Sequence, residues 1–91
     1  MPTTECPSNT TSDRLTHALG RRIRVLRAEH GWSQETLAAL TGLHRTYLSQ
    51  VERGTLHISV IQLAKIARVF ALRPGALIDG AVTSEYPGPD G

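Results

Sequence analysis

The sequence of 91 residues has little of what membrane, metal-cluster and disulfide-linked proteins depend on. Cys6 is the only cysteine, so the chain can form neither an internal disulfide nor a thiolate metal cluster. The most apolar region, from 58 to 72, is interrupted by Gln62, Lys65 and Arg68, and the N-terminus lacks the basic-then-apolar order of a signal peptide. We therefore expect a cytoplasmic protein with no membrane partner, no metal and no cofactor.

Aromatic residues are also scarce, with one tryptophan, two tyrosines and one phenylalanine. The core must then be built from leucine, isoleucine, valine and alanine, a composition that favours helices over a sheet. The length suits one compact domain and is too short for two. These features together predict an all-α domain with tails.

Basic charge is concentrated in the middle of the chain. All ten Arg and Lys residues lie between Arg14 and Arg73, where only Glu29, Glu35 and Glu52 are acidic, so this span carries a formal charge of +7 although the whole chain carries +2. Such a field attracts a polyanion and makes its binding salt-dependent. Taken alone, the charge fits nucleic acid and an anionic membrane surface equally well.

Composition divides the chain into three parts. Residues 1–12 combine two prolines with a cluster of Thr, Ser and Asn, and they are expected to form a disordered arm. Residues 80–91 end in a string of turn-forming residues and are expected to form a flexible tail. The folded domain is therefore expected over residues 13–79.

Apolar spacing and capping residues predict a compact bundle of five helices within this domain. Serine or aspartate begins the first, second and fourth helices, a proline begins the fifth, and glycines stop most of them. The expected boundaries, with their capping residues, are Ser12 or Asp13 to Gly31, Ser33 to Gly42, His44 to Gly54, Ser59 to Ala71, and Pro74 to Gly80.

The second and third of these helices have the spacing of a helix-turn-helix around Gly42. This glycine must adopt a positive φ, and Ala38 must be small because the two helices cross closely there. The residues expected to point inward are Leu37, Ala38 and Leu40 in the second helix, with Leu43, Leu48 and Val51 anchoring the third.

The outer face of the third helix carries Arg45, Thr46, Ser49 and Gln50, with Tyr47 at its side. Arginine can pair in bidentate fashion with guanine, glutamine with adenine, and threonine can contact a thymine methyl group or a phosphate. The alternative is an ordinary solvated helix surface. The glycine turn, the apolar spacing and the basic domain favour DNA recognition.

Residues 15–79 resemble the Cro/repressor (XRE-type) helix-turn-helix family, whose domain is lambda-repressor-like. The resemblance rests on Ser33-Gln34-Glu35, Leu37-Ala38, Gly42-Leu43 and Glu52-Arg53-Gly54. Within that family, residues 42–49 and 51–54 are similar to the restriction–modification controller proteins, which are short, single-domain dimers. The resemblance implies a regulator that binds specific double-stranded DNA and activates its operon, represses it, or does both.

The resemblance also implies roles for individual residues. Base contacts would come from Arg45, Thr46, Ser49 and Gln50. Gln34 would donate to a phosphate, helped by the dipole at the start of the second helix. Arg27 and Glu52 would form an architectural ion pair, while Tyr47 suits either base or backbone contact. The other contacts to the DNA backbone would come from Arg53, Thr55 and His57.

The fourth helix is polar at only three positions, all on one stripe. Most of its surface is therefore apolar, and one small bundle is not expected to bury all of it. We therefore expect a twofold homodimer in which Leu72, Leu77 and Ile78 make contacts. Two recognition helices would then lie about 34 Å apart and read a palindromic operator. Two dimers on adjacent sites and a contact with RNA polymerase are compatible with this interpretation.

Three other classes of protein would require features that can be looked for in the same sequence. An enzyme is disfavoured because the four histidines lie in four separate segments and no carboxylate pair, metal signature or glycine-rich phosphate loop is present, so no residue is assigned to catalysis. An antitoxin, or another protein-interaction module on the same fold, would be favoured by a long partner-binding tail. A phage-type repressor usually adds a second domain, for which 91 residues leave no room.

Overall fold

Five α-helices make up the described part of the computed structural model, which covers residues 11–85, with side chains from 14 to 82. No strand occurs within these residues, so the predicted all-α fold of five helices is confirmed. Residues 1–10, which include Cys6, and 86–91 lie outside the described residues, and with them much of the predicted arm and tail. The helices are α1 (Thr11–Glu29), α2 (Gln34–Thr41), α3 (Arg45–Arg53), α4 (Val60–Val69) and α5 (Pro74–Glu85).

Serine side chains begin α2 and α4, as the sequence predicts. Ser33 Oγ accepts the backbone N–H of Thr36 at 3.0 Å, and Ser59 Oγ accepts that of Gln62 at 3.2 Å. Each serine thereby satisfies one of the N–H groups that the first turn of a helix leaves without a partner. These caps fix the start of α2, which faces the candidate site, and the start of α4, which follows it.

The core is aliphatic apart from Phe70, and all five helices contribute to it. α1 packs against both α3 and α5, while α4 packs against α2 and α5. This arrangement places α3 on one side of the bundle, held from within by α1. Each helix supplies one large side chain that is fully buried: Ile23, Leu37, Leu48, Ile66 and Leu77.

Two leucines differ from the expectation drawn from sequence. Leu40 was expected to point inward but is 50% exposed, because α2 packs mainly against α3 and α4 and this contact covers only the strip around Leu37. Leu77 was expected at a dimer interface but is 0% exposed within the single chain. The assignment of Leu77 to an interface is therefore wrong, since its side chain lies in the core of its own domain.

α5 continues to Glu85, five residues beyond the predicted end at Gly80. This extension is stabilised by tertiary packing. Ala81 is 1% exposed and belongs to the core, so the helix gains packing by continuing past the glycine. Gly80 also lies directly over the side chain of Arg22, where an added Cβ would come within 2.6 Å of the guanidinium Nε. The glycine therefore serves close packing against α1 instead of stopping the helix.

α4 ends at Val69, two residues before the predicted Ala71. The chain leaves the helix because Ala71 adopts a left-handed conformation with φ 59°, and the N–H of Leu72 returns to the carbonyl of Ala67 at 2.9 Å. This hydrogen bond satisfies a carbonyl at the helix end, as in a glycine-terminated helix. The sequence pattern missed the end because no glycine marks it.

Gly20 lies where α1 crosses the end of α3. A Cβ at this position would overlap the carbonyl oxygen of Val51 and lie 2.7 Å from that of Glu52. Both obstacles are backbone atoms, which cannot rotate away as a side chain can. The absence of a side chain at Gly20 therefore sets how closely α1 supports α3.

We expect Gly20→Ala to lower the free energy of unfolding by about 3 kcal/mol, since the added methyl group forces two helices apart. The measurement is urea denaturation followed by circular dichroism. Gly75→Ala is the matched control because a Cβ there meets nothing within 4 Å in the first turn of α5. That control should be neutral or stabilising by up to about 1 kcal/mol. Equal midpoints for the two variants would contradict the account of this contact.

Candidate nucleic-acid interface

The turn between α2 and α3 is held by one glycine and one threonine. Gly42 has φ 76°, and its N–H donates to the carbonyl of Ala38 at 2.8 Å, which confirms the predicted left-handed end of α2. Thr41 Oγ1 donates to the carbonyl of Leu37 at 2.8 Å and accepts the N–H of Leu43 at 3.2 Å. The hydrophobic spacing gives no indication of this role, although threonine side chains commonly hydrogen-bond to backbone groups three or four residues earlier.

α3 has an inner and an outer face of different chemistry. Leu48 and Val51 are buried, as predicted, and Glu52 is also only 4% exposed. Arg45 and Thr46 are exposed, and Ser49 and Gln50 are half-buried. Positions three and four apart share one side of a helix. The four side chains singled out from sequence therefore lie together on the face opposite the core: Arg45, Thr46, Ser49 and Gln50.

Tyr47 lies between these two faces. Its ring is half-buried and packs against the core. Burial raises the pKa of the Tyr47 hydroxyl, while a hydrogen bond from the backbone of Ser59 opposes that rise. The phenol thus links α3 to the residue that caps α4. The contact of Tyr47 with DNA remains a prediction.

The residues expected to contact the DNA backbone after α3 form a short exposed loop. Arg53, Thr55 and His57 are all exposed. Gly54 ends α3 with φ 73°, and Thr55 closes the turn with its N–H and its Oγ1, which donate to the carbonyl of Gln50 at 3.0 and 3.1 Å. These hydrogen bonds therefore fix the direction in which the loop leaves α3.

A buried ion pair joins α1 to the end of α3, as the family resemblance implies. Arg27 Nε donates to Glu52 Oε2 at 2.7 Å, and Arg27 Nη2 donates to Glu52 Oε1 at 3.0 Å. The exposed fraction of the side chain is 17% for Arg27 and 2% for Glu52. Hydrogen bonding to Glu52 raises the pKa of Arg27, against an opposing effect of burial. The two parallel bonds fix the orientation of the guanidinium.

Two further contacts extend this pair to the start of α2. Arg27 Nη1 donates to the backbone carbonyl of Trp32 at 2.9 Å, one residue before the cap Ser33. Gln34 Nε2 donates to Glu52 Oε1 at 3.1 Å. The Trp32 ring in turn stacks on Phe70 with ring centroids 5.5 Å apart. The family resemblance implies the ion pair, but the link to Gln34 has no signal in the sequence, because a glutamine gives no periodicity signal for its partner.

The geometry is thus a basic domain that presents the outer face of one short helix, flanked by the start of another helix and by a basic loop. The helix-turn-helix family model (HTH_3) matches residues 23–77, which is more than half of the chain. The chain belongs to this family, whose members are DNA-binding transcription regulators of the XRE type.

Among individual proteins, the chain is similar to controllers of restriction–modification systems. It is 39% identical over 61 residues to the control protein C.BamHI of Bacillus amyloliquefaciens, over 66% of this chain and 75% of that protein. The crystal structure of the controller C.AhdI from Aeromonas hydrophila matches with TM-score 0.64 and 43% identity, over 69% of this chain and 94% of that one. A tetramer of the controller C.Esp1396I in complex with its 35 base-pair operator matches with TM-score 0.68 and 26% identity, over 76% of this chain and 91% of that one.

Two searches for other kinds of site cover the described residues only. Among these residues, no three side chains of the types that ligate metals come together in a group. None of the described helices combines the length and the apolar character needed to cross a bilayer.

Proposed function

We propose that this protein binds a palindromic operator as a homodimer and controls a restriction–modification operon. The single observation that carries the proposal is the outer face of α3, where four side chains suited to base edges lie opposite buried Leu48 and Val51. α3 is therefore held rigidly from behind while its other face is open to a ligand. An α-helix of this kind fits the width of the major groove.

In this proposal Arg45 and Gln50 supply direct base recognition. Arg45 can donate two hydrogen bonds to the O6 and N7 atoms of guanine, and Gln50 can pair with the N6 and N7 atoms of adenine. Thr46 and Ser49 lie beside them and suit a thymine methyl group or a single hydrogen bond. Recognition by the ends of two α3 helices in a dimer would make the operator palindromic.

A surrounding set of groups would hold the phosphates. Gln34 and the backbone N–H groups at the start of α2 lie on one side of α3, where the helix dipole favours an anion. The exposed residues Arg53, Thr55 and His57 lie at and just after the C-terminal end of α3. Contacts of this type fix the position of the protein on the duplex but do not distinguish sequences. The charge of +7 between Arg14 and Arg73 would add a salt-dependent attraction.

The role as a controller is supported by the similarity to C.BamHI and C.AhdI. The operator complex of the C.Esp1396I tetramer supports the proposal that two dimers of this protein occupy adjacent sites. The proposal covers repression of the operon, its activation, or both, and activation would require a contact with RNA polymerase.

The homodimer needs a surface other than Leu77. Val60 and Ile61, in the first turn of α4, are 78% and 70% exposed, which makes them the most exposed large apolar residues among those described. Val60 borders an open cavity of about 260 Å³. Adjacent exposed aliphatic residues beside an apolar cavity are typical of a protein-binding surface. The lining of the cavity is mostly aliphatic and includes Leu15, Leu19, Leu56, Ile58, Leu63 and Ile78.

This surface suits a second copy of the chain because the exposed side chain of Val60 lies beside the cavity. In a twofold interface, each copy would insert Val60 toward the cavity of the other. A second groove beside Val60 is lined by Ile61, Ala64, Lys65 and Arg68. A twofold axis in that groove would bring Lys65 and Arg68 of the two copies together, and these like charges would repel. The cavity is therefore the favoured site for the dimer interface. Ile78, which was predicted at the interface, lines the cavity.

The proposed function is tested by scanning the DNA that flanks the gene of this protein in a gel-shift assay. We expect one or two short palindromic segments to form complexes that persist in competitor DNA and at physiological salt, since specific binding exceeds non-specific binding by about 1000-fold or more. A scan that shows only salt-sensitive, sequence-independent binding would overturn the regulator proposal and would favour a protein-interaction module on the same fold.

Arg45→Ala should reduce discrimination between the operator and unrelated DNA by about 1 to 3 kcal/mol per half-site, because a bidentate contact to a base is lost. Competition binding with both DNAs measures this difference. Arg24→Ala is the matched control, since it removes the same charge from an exposed position on α1. The control should weaken both affinities about equally. Unchanged discrimination by the Arg45 variant would show that Arg45 does not read a base.

Val60→Glu should weaken the dimer by about 30-fold or more, because a charge would be placed within an apolar interface. Analytical ultracentrifugation measures the dissociation constant, with Val25→Glu as the control because Val25 is an exposed aliphatic residue on α1. We expect the control to remain dimeric. A folded Val60 variant that dimerises like the wild type would exclude this surface, and a monomeric wild type would exclude the dimer.

A further inference from the structure

The carboxylate of Glu52 holds a side chain that belongs to the proposed phosphate contact. Its Oε1 atom accepts from Gln34 Nε2 at 3.1 Å and from Arg27 Nη2 at 3.0 Å. Glu52 is 4% exposed, so its position is set by the surrounding protein. Gln34 is the first residue of α2, at the helix end that would face a phosphate.

We infer that Glu52 is a positioning residue for DNA binding, because it fixes the amide of Gln34 at the start of α2 before DNA arrives. The inference rests on the proposed function, in which Gln34 donates to a phosphate. An ionised carboxylate can only accept hydrogen bonds, so it selects the amide orientation that points the NH₂ group toward Glu52. One N–H of that group is used by Glu52, and the other is directed elsewhere by the planar geometry of the amide.

The ion pair with Arg27 is what makes Glu52 suitable for this task. Arg27 neutralises the carboxylate and fixes both of its oxygen atoms, at 2.7 and 3.0 Å. It also donates to the carbonyl of Trp32, so the same guanidinium fixes the backbone that leads into α2. One carboxylate therefore connects α1, the start of α2 and the end of α3.

This connection has a consequence for affinity. A long side chain such as glutamine loses rotamer freedom when it is ordered, and that loss normally weakens binding. Because Gln34 is already bonded to Glu52, the loss occurs on folding instead of on binding. Glu52 follows Gln50 by two residues on α3, so the same contact holds the phosphate donor at a fixed distance from the base-reading face.

The experiment needs a variant that removes the acceptor without leaving a buried charge. Removing Glu52 alone would leave Arg27 without its partner, whereas replacing both members of such a pair with apolar side chains is often neutral or stabilising. The double variant Arg27→Met/Glu52→Met retains side chains of similar length. Thermal unfolding first establishes that it folds.

Operator affinity is then measured for the wild type, Gln34→Ala, the double methionine variant and the triple variant. We expect Gln34→Ala to weaken binding about tenfold or more per half-site, as for a hydrogen bond to a charged group. The double variant should show a loss of the same size, and adding Gln34→Ala to it should cause no further loss. Gln50→Ala is the matched control, and its effect should multiply with that of the double variant. If the Gln34 and double-variant effects also multiply, the inference is wrong.

A second measurement uses the wild-type protein alone and therefore survives any failure of the variants to fold. Nuclear magnetic resonance relaxation of the side-chain amides, without DNA, should show the NH₂ group of Gln34 to be more ordered on the picosecond-to-nanosecond timescale than that of Gln50. Equal mobility of the two amides would overturn the inference. If Gln34 is ordered but no operator exists, it is the proposed function that has failed.

Discussion

A carboxylate enclosed in a small helical domain must be matched by donors, because an unpaired charge in that position costs several kcal/mol. Glu52 meets this requirement with Arg27, which also binds the chain leading into α2, and with Gln34 at the helix start. The match can be made only if α1, α2 and α3 occupy their observed positions. The ion pair is directional and therefore favours this arrangement of the three helices, whereas the aliphatic contacts around it are non-directional.

Steric limits also act where α1 packs against the end of α3. Gly20 allows α1 to approach the last turn of α3, where the carbonyl groups of Val51 and Glu52 leave no room for a Cβ. Polar attraction at Glu52 and the missing side chain at Gly20 thus set the orientation and the distance of α3 separately. A helix of nine residues gains little stability alone, so this external support is what keeps its outer face in shape.

Features governed by neighbours in sequence could be predicted. Ser33, Ser59, Gly42 and Gly54 act through local backbone chemistry, and the structure shows each of them at the predicted helix end. The face of α3 also followed from spacing alone. By contrast, the prediction that α5 stops at Gly80 is wrong. The packing of Ala81 into the core depends on a distant helix, which local rules do not include. Amphipathic spacing indicates that a residue is buried but not by what, and so Leu77 was assigned to the wrong partner.

The outer face of α3 is chemically separate from the contacts that hold the domain together. Within residues 14–82, no side-chain hydrogen bond joins Arg45, Thr46, Ser49 or Gln50 to the rest of the fold, while Leu48, Val51 and Glu52 on the inner face carry the packing. Substitutions on the outer face should therefore accumulate in evolution with little effect on folding. A lineage that inherits this scaffold could diverge in DNA specificity through a few codons, and two copies in one cell could become independent regulators without redesign of the domain.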